Sequence, residues 1–131
     1  PHAILFDPHS PKANPEMWTL GVFEGMARRL APWRGTSLAT YSRSTAVRVA
    51  LVLVGWRVGL GAATAFKEET TVAANRPGLV NQPLGTRWLE RARRSRAAEP
   101  WREPPYEARP LTEATWELLR ARLGGQAPTE A

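Results

Sequence analysis

AVRVALVLVGWRVGLGAATAF, residues 46–66, is the stretch whose reading decides the fold. Of these residues only Arg48, Arg57 and Thr64 are polar. A helix of this length spans roughly 31 Å, which matches the hydrocarbon core of a bilayer. Lys67-Glu68-Glu69 stops the apolar run abruptly. The segment therefore reads as a single transmembrane helix. Arg48 lies near one end, where its stem can snorkel to the headgroups. Arg57 lies mid-span, where a charge costs at least ~2.5–3.5 kcal/mol, and the run Val49–Trp56 offsets part of that. The rival reading is a buried strand, because Val47-Arg48-Val49 and Leu51–Val54 are rich in β-branched residues. The span is favoured because no other part of the chain is comparably apolar.

Outward from this stretch, the chain reads as flanking pieces with little core of their own. Its 131 residues allow one domain at most. Four of the 12 prolines stud the start, at 1, 8, 11 and 15, and Pro100, Pro104, Pro105 and Pro110 stud the second half. Proline fixes φ and removes a donor, so such segments run extended along a surface. Residues 1–14 read as a Pro-rich arm without the apolar region of a signal peptide. A start at Pro1 implies loss of an initiator Met or of a presequence. Asn14-Pro15-Glu16 reads as a helix start, with Met17, Leu20, Phe23, Ala27 and Leu30 on one face and Pro32 as the stop. Residues 33–45 form a polar connector. After a loop over 70–85, Thr86 caps a short basic helix, RWLERARRSRAA. Thr112 caps a last helix with Trp116, Leu119 and Leu123 as its apolar stripe and Gly124 as its stop.

The expected fold is thus mainly α. It has a Pro-rich arm and amphipathic helix over 1–45, a transmembrane helix over 46–66, and an extended tail with two short helices over 67–131. No independent globular core is expected, and the tail's order should depend on a partner.

The chemistry-bearing residues are sparse. With no cysteine, disulfides, zinc–thiolate sites and thiol nucleophiles are excluded. His2, Asp7 and His9 are the one group able to ligate a metal, but their spacing fits no standard site. Gly59-Leu60-Gly61 follows an apolar run without the third glycine or downstream acid of a dinucleotide-binding unit. Both histidines sit in the first nine residues, which leaves no Ser-His-Asp set. No catalytic residue, cofactor or metal is expected, and the chain reads as a non-enzyme. Gly55 and Gly59, four apart, would give a smooth helix-packing face prolonged by Ala62 and Ala63. Arg57 would reach a buried polar partner on a second neighbour. The net charge is +6, and 16 of the 18 basic residues are arginine. Arg87, Arg91 and Arg94 recur on one side of the basic helix and suit lipid headgroups or an acidic protein face, with RNA phosphates as the third alternative. Arg28, Arg29, Arg34 and Arg43 precede the span, which puts the N-terminus on the matrix side or its equivalent.

Arg28-Arg29-Leu30 and Pro32-Trp33-Arg34 leading into the 46–66 span resemble the small single-span accessory subunits of mitochondrial respiratory complexes, those of the complex I membrane arm above all. The resemblance covers the first half of the chain. It implies a structural or assembly subunit of the mitochondrial inner membrane, partnered by other subunits and by phospholipid such as cardiolipin, with no nucleic acid bound. The alternative is a soluble organellar ribosomal or RNA-binding protein with extended basic arms.

Overall fold

The computed structural model describes residues 3–31, 33–61, 70–76 and 78–126. The chain runs through β1 (Ala3–Leu5), a 3-10 turn (Pro15–Trp18), α1 (Leu20–Arg28), β2 (Ser37–Thr40), α2 (Thr45–Val54), β3 (Arg57–Leu60), β4 (Thr71–Ala74), α3 (Thr86–Arg94) and α4 (Glu113–Gln126). The strands form one sheet in the order β1-β2-β4-β3. β1 pairs with β2 in parallel, with Ile4 opposite Leu38. β4 is antiparallel to both β2 and β3. Strands β1, β2 and β3 therefore point the same way, with β4 inserted between two of them.

This overturns the mainly α, coreless expectation. The apolar run 46–66 is not one helix. Ser44 caps α2 by accepting from the Val47 N–H at 3.3 Å. The helix ends after Val54 because Gly55 takes a left-handed φ of 110°, which a side chain rarely tolerates. Gly55 N–H donates to the Val52 carbonyl at 3.0 Å and Trp56 N–H to the Leu51 carbonyl at 3.1 Å, a Schellman ending. The chain then reverses into β3. Among the described residues no helix is long and apolar enough to cross a membrane. The hydrophobicity has a different cause. Ala46 through Val52 are all buried, because α2 is enclosed on every side by the rest of the protein.

Packing overrides propensity here. Val47, Val49 and Val52 are stiff at χ1 and cost a little in a helix, yet each is fully buried. α1 and α4 pack against α2, and α3 packs against α4. The same core takes Trp18 and Phe23 from the start of the chain and Trp88, Ala92, Leu119 and Leu123 from its end. Residues beyond 70 are thus part of the core rather than a tail lying outside it. Arg48 does not snorkel to lipid. It is 7% exposed, and its Nε donates to Thr71 Oγ1 at 2.8 Å. The Thr71 hydroxyl in turn donates to the Ser42 carbonyl at 2.6 Å.

Glu99 organises the connection into α4. Its Oε1 accepts from the Thr112 N–H at 3.0 Å, and its Oε2 accepts from the Thr115 hydroxyl at 2.8 Å and from Arg102 at 2.7 Å. Burial alone would raise this carboxyl's pKa. The hydrogen bonds from Thr112, Arg102 and Thr115, with the Arg102 charge, outweigh it and hold the pKa below its ordinary value.

Candidate active site

In open α/β sheets, ligands bind outside the carboxyl ends of the strands. In this sheet that edge carries Leu5, Thr40 and Leu60, the last residues of β1, β2 and β3. The loop leaving β1 is held there by several hydrogen bonds. Phe6 N–H donates to the Ala39 carbonyl at 2.9 Å and extends the parallel pairing by one residue. Asp7 follows. Its Oδ1 accepts from the Thr40 hydroxyl at 2.8 Å and from the Tyr41 N–H at 3.0 Å. One carboxylate oxygen is thereby pinned across the two strand ends. Among the described residues Oδ2 has no partner, and Asp7 is exposed.

The rest of the loop is tied down from below. Asn14 Nδ2 donates to the Pro8 carbonyl at 3.2 Å, and Trp18 Nε1 donates to the His9 carbonyl at 3.1 Å. Trp18 is 1% exposed and meets Phe6 edge-on, with centroids 5.0 Å apart. Phe23 closes an aromatic trio beneath the loop. His9 has a φ of 89°, the one non-glycine in the left-handed region among the described residues. Such a conformation costs on the order of 1–3 kcal/mol and collects at functional sites. The tryptophan and asparagine anchors hold His9 in it.

Beside Asp7 lies a small apolar cavity of about 120 Å³ lined by Leu5, Ala39, Thr40, Tyr41 and Thr70. Tyr41 is 58% exposed and follows β2 directly. A second cavity, of about 260 Å³, is lined by Ala27, Leu30, Val54, Gly55, Trp56 and Asn75. It opens near the amino ends of β2 and β3, the wrong edge for an α/β ligand site. Asn75 there has a structural task. It accepts from the Thr36 N–H at 2.8 Å and donates to the Arg34 carbonyl at 2.8 Å.

The residues singled out in the sequence fall elsewhere. Gly55 ends α2, and Gly59 lies in β3, so the two share no helix face. A Cβ on Gly59 would collide with Val80 and the Gln82 carbonyl, which explains glycine where the 80–84 segment runs against β3. Ala62 and Ala63 lie outside the described residues. Arg57 is half-buried at the start of β3 rather than mid-span. Arg87, Arg91 and Arg94 are exposed on α3. His2 lies outside the described residues, and no group of three metal-binding side chains occurs among those described. The residue that sequence reasoning undervalued is Asp7. The signal was present, since Ala3–Phe6 is a short apolar run ending in an acid, but the prolines after it made the segment read as an arm.

A sheet with three strands pointing one way and a pinned acid at their carboxyl edge defines an α/β protein. The chain belongs to the S-adenosyl-L-methionine-dependent methyltransferase family, whose match covers residues 2–76. It is 37% identical over 93 residues to the tRNA 5-methylaminomethyl-2-thiouridine biosynthesis bifunctional protein MnmC of Cupriavidus necator. That alignment covers 68% of this chain and 14% of the relative. The protein so named from Ralstonia nicotianae is 39% identical over 72 residues, 55% of this chain and 11% of that one. Among solved structures, MNMC2 from Aquifex aeolicus superposes with a TM-score of 0.63 at 27% identity, over 92% of this chain and 37% of that one. The chain thus spans a small part of the length of these relatives.

These matches correct the functional expectations. The respiratory accessory-subunit resemblance is overturned, and with it the mitochondrial inner-membrane location, the phospholipid and membrane-subunit partners, and the expectation of a non-enzyme. The family is one of enzymes, and the relatives' names attach them to tRNA, against the expectation of no nucleic acid. Of the two readings of the sequence, the RNA-related one is nearer.

The cavity beside Asp7 does not by itself fit the whole of S-adenosyl-L-methionine. A pocket for a molecule of that size is on the order of 300–1,000 Å³. The cavity beside Asp7 is smaller, and Gly61, near that edge, is packed against the Thr70 side chain of its own chain. What the described residues do fit is one wall of a site, with a presented carboxylate.

Proposed function

We propose that this chain supplies the substrate-facing wall of a methyltransferase that modifies an amine on a uridine of tRNA. The observation that carries the reading is Asp7, with Oδ1 fixed by Thr40 and Tyr41 and Oδ2 left to a ligand. An N-methyl group is what separates a 5-methylaminomethyl uridine, named in the relatives, from its 5-aminomethyl precursor. An alkylamine is protonated near neutral pH and must give up a proton before its lone pair can bond to carbon. Asp7 Oδ2 can accept hydrogen bonds from the ammonium, orient it and receive that proton. Tyr41 and Leu5 offer apolar surface beside it for the pyrimidine ring.

The test is methyl transfer from labelled S-adenosyl-L-methionine to tRNA carrying 5-aminomethyl-2-thiouridine, by the complete methyltransferase in which this chain is the substrate-facing wall. Asp7→Asn keeps the size and the Oδ1 acceptor but cannot take the proton. It should lower kcat/KM by about 10²-fold or more. Label that never reaches this tRNA, or an Asp7→Asn protein as fast as its parent, would sink the reading.

A further inference from the structure

We propose that the exposed face of α3 is a docking surface for the sugar–phosphate backbone of a folded RNA, with Arg87, Arg91 and Arg94 as its contacts. The inference rests on the tRNA reading above and adds where on this chain the RNA is gripped. At about 100° per residue, these three arginines lie within about 60° of one another on the helix. All three are exposed. Trp88 and Ala92, on the other side of the helix, are 7% and 1% exposed and anchor it to the core. The stripe is therefore held on a rigid element and costs little ordering when a ligand arrives.

The arginines of this segment are not equivalent. Arg93 points away from the stripe and lies 4.4 Å from the centroid of the Trp116 ring on α4, so its charge serves the helix–helix contact. Arg94 approaches Glu90 only to 3.8 Å, with both side chains more than 60% exposed. Such a pair contributes ~0–1 kcal/mol and yields readily to a phosphate. Arg87 and Arg91 make no ion pair among the described residues. Guanidinium forks match phosphate oxygens in pairs, which suits an RNA backbone better than lysines would.

A membrane surface is the poorer partner. A helix that lies in a bilayer interface inserts an apolar face, and the apolar side of α3 is already buried in the protein. The α3 segment also lies outside residues 2–76, the part that matches the methyltransferase family. Gripping the RNA is thus a task separable from the chemistry at the strand ends.

The experiment measures binding of unmodified tRNA transcript to the purified protein across a salt series. The variants are the triple Arg87→Ala/Arg91→Ala/Arg94→Ala protein and its triple Arg→Lys counterpart. The parent should bind tRNA, and the slope of log K against log salt should fall by about one per alanine in the triple variant. KM for tRNA should rise at least tenfold with kcat kept, and the lysine variant should recover most of the binding. Because these side chains are exposed, the far-ultraviolet circular dichroism should be that of the parent. A parent that ignores tRNA at low salt overturns both this inference and the substrate reading. A parent that binds tRNA while the alanine variant matches it in affinity and slope overturns the α3 surface alone. Loss of binding to phosphatidylserine vesicles, with tRNA binding kept, would overturn it in favour of a membrane.

Discussion

The Asp7 carboxylate and the Thr40 hydroxyl meet at 2.8 Å and join the end of β1 to the end of β2. Two residues far apart in sequence thus set the direction of one oxygen at the carboxyl edge of the sheet. Thr40 is 2% exposed and its hydroxyl also accepts from the Ser42 N–H at 3.1 Å, so it cannot turn away easily.

Thr40→Val keeps the shape and removes the donor. We expect methyl-transfer kcat/KM to fall about tenfold, worth ~1.4 kcal/mol in the transition state. Stability should drop by about 1 kcal/mol. Thr40→Ser should restore the rate. Kinetics with urea unfolding of the three proteins checks this, and a Thr40→Val enzyme at the parent rate would show that Asp7 needs no such orientation.

Gly55 and Gly59 are constrained for different reasons. Gly55→Ala places a side chain at a φ of 110° and should cost about 1 kcal/mol. Gly59→Val forces atoms into Val80 and the Gln82 carbonyl, which is backbone and cannot step aside. Overpacking of this kind costs about 1–3 kcal/mol. Urea midpoints should rank the parent above Gly55→Ala, with Gly59→Val lowest.

Leu51 is fully buried at the centre of α2, which α1 and α4 flank. Leu51→Ala should destabilise by about 2–5 kcal/mol. Calorimetry should show one cooperative transition lowered in temperature. Loss of structure confined to α2, with α3 and α4 melting as before, would contradict a shared core.

Glu99 makes stability depend on pH. Its folded-state pKa is depressed, so its contribution is present above the ordinary carboxylate pKa of about 4.5. That contribution fades as the pH falls from there through the lower, folded-state value. Glu99→Gln should be destabilised at neutral pH, and the gap to the parent should narrow as the solution is acidified through this range. Parallel acid-unfolding curves for the two proteins, with an unchanged gap, would remove Glu99 from this role.

What was legible in the sequence was local. Thr112 does cap α4, its Oγ1 accepting from the Thr115 N–H at 3.1 Å. Of the expected helix RWLERARRSRAA, the part through Arg94 is helical, with Trp88 and Ala92 facing inward, and the chain leaves the helix at Ser95. Those signals lie within one or two turns. The 46–66 run failed because composition alone cannot distinguish a span from a buried helix, a turn and a strand placed end to end. Gly55-Trp56 carried the distinction, since a glycine followed by a large apolar residue is the signature of a Schellman ending. The carboxyl edge failed for another reason. β1 has only three residues, too few for a periodic pattern, and Asp7 gains its meaning from Thr40 and Tyr41 across the sheet.

The insertion of β4 between β2 and β3 sets the order in which the sheet can form. β3 emerges before β4 but has no place against β2, because the intervening position belongs to a strand that comes later in the chain. During synthesis Arg57–Leu60 must therefore wait for Thr71–Ala74. Pairings between distant segments are slow to close, so a nascent chain halted before residue 71 would hold an apolar α2 with half its sheet missing.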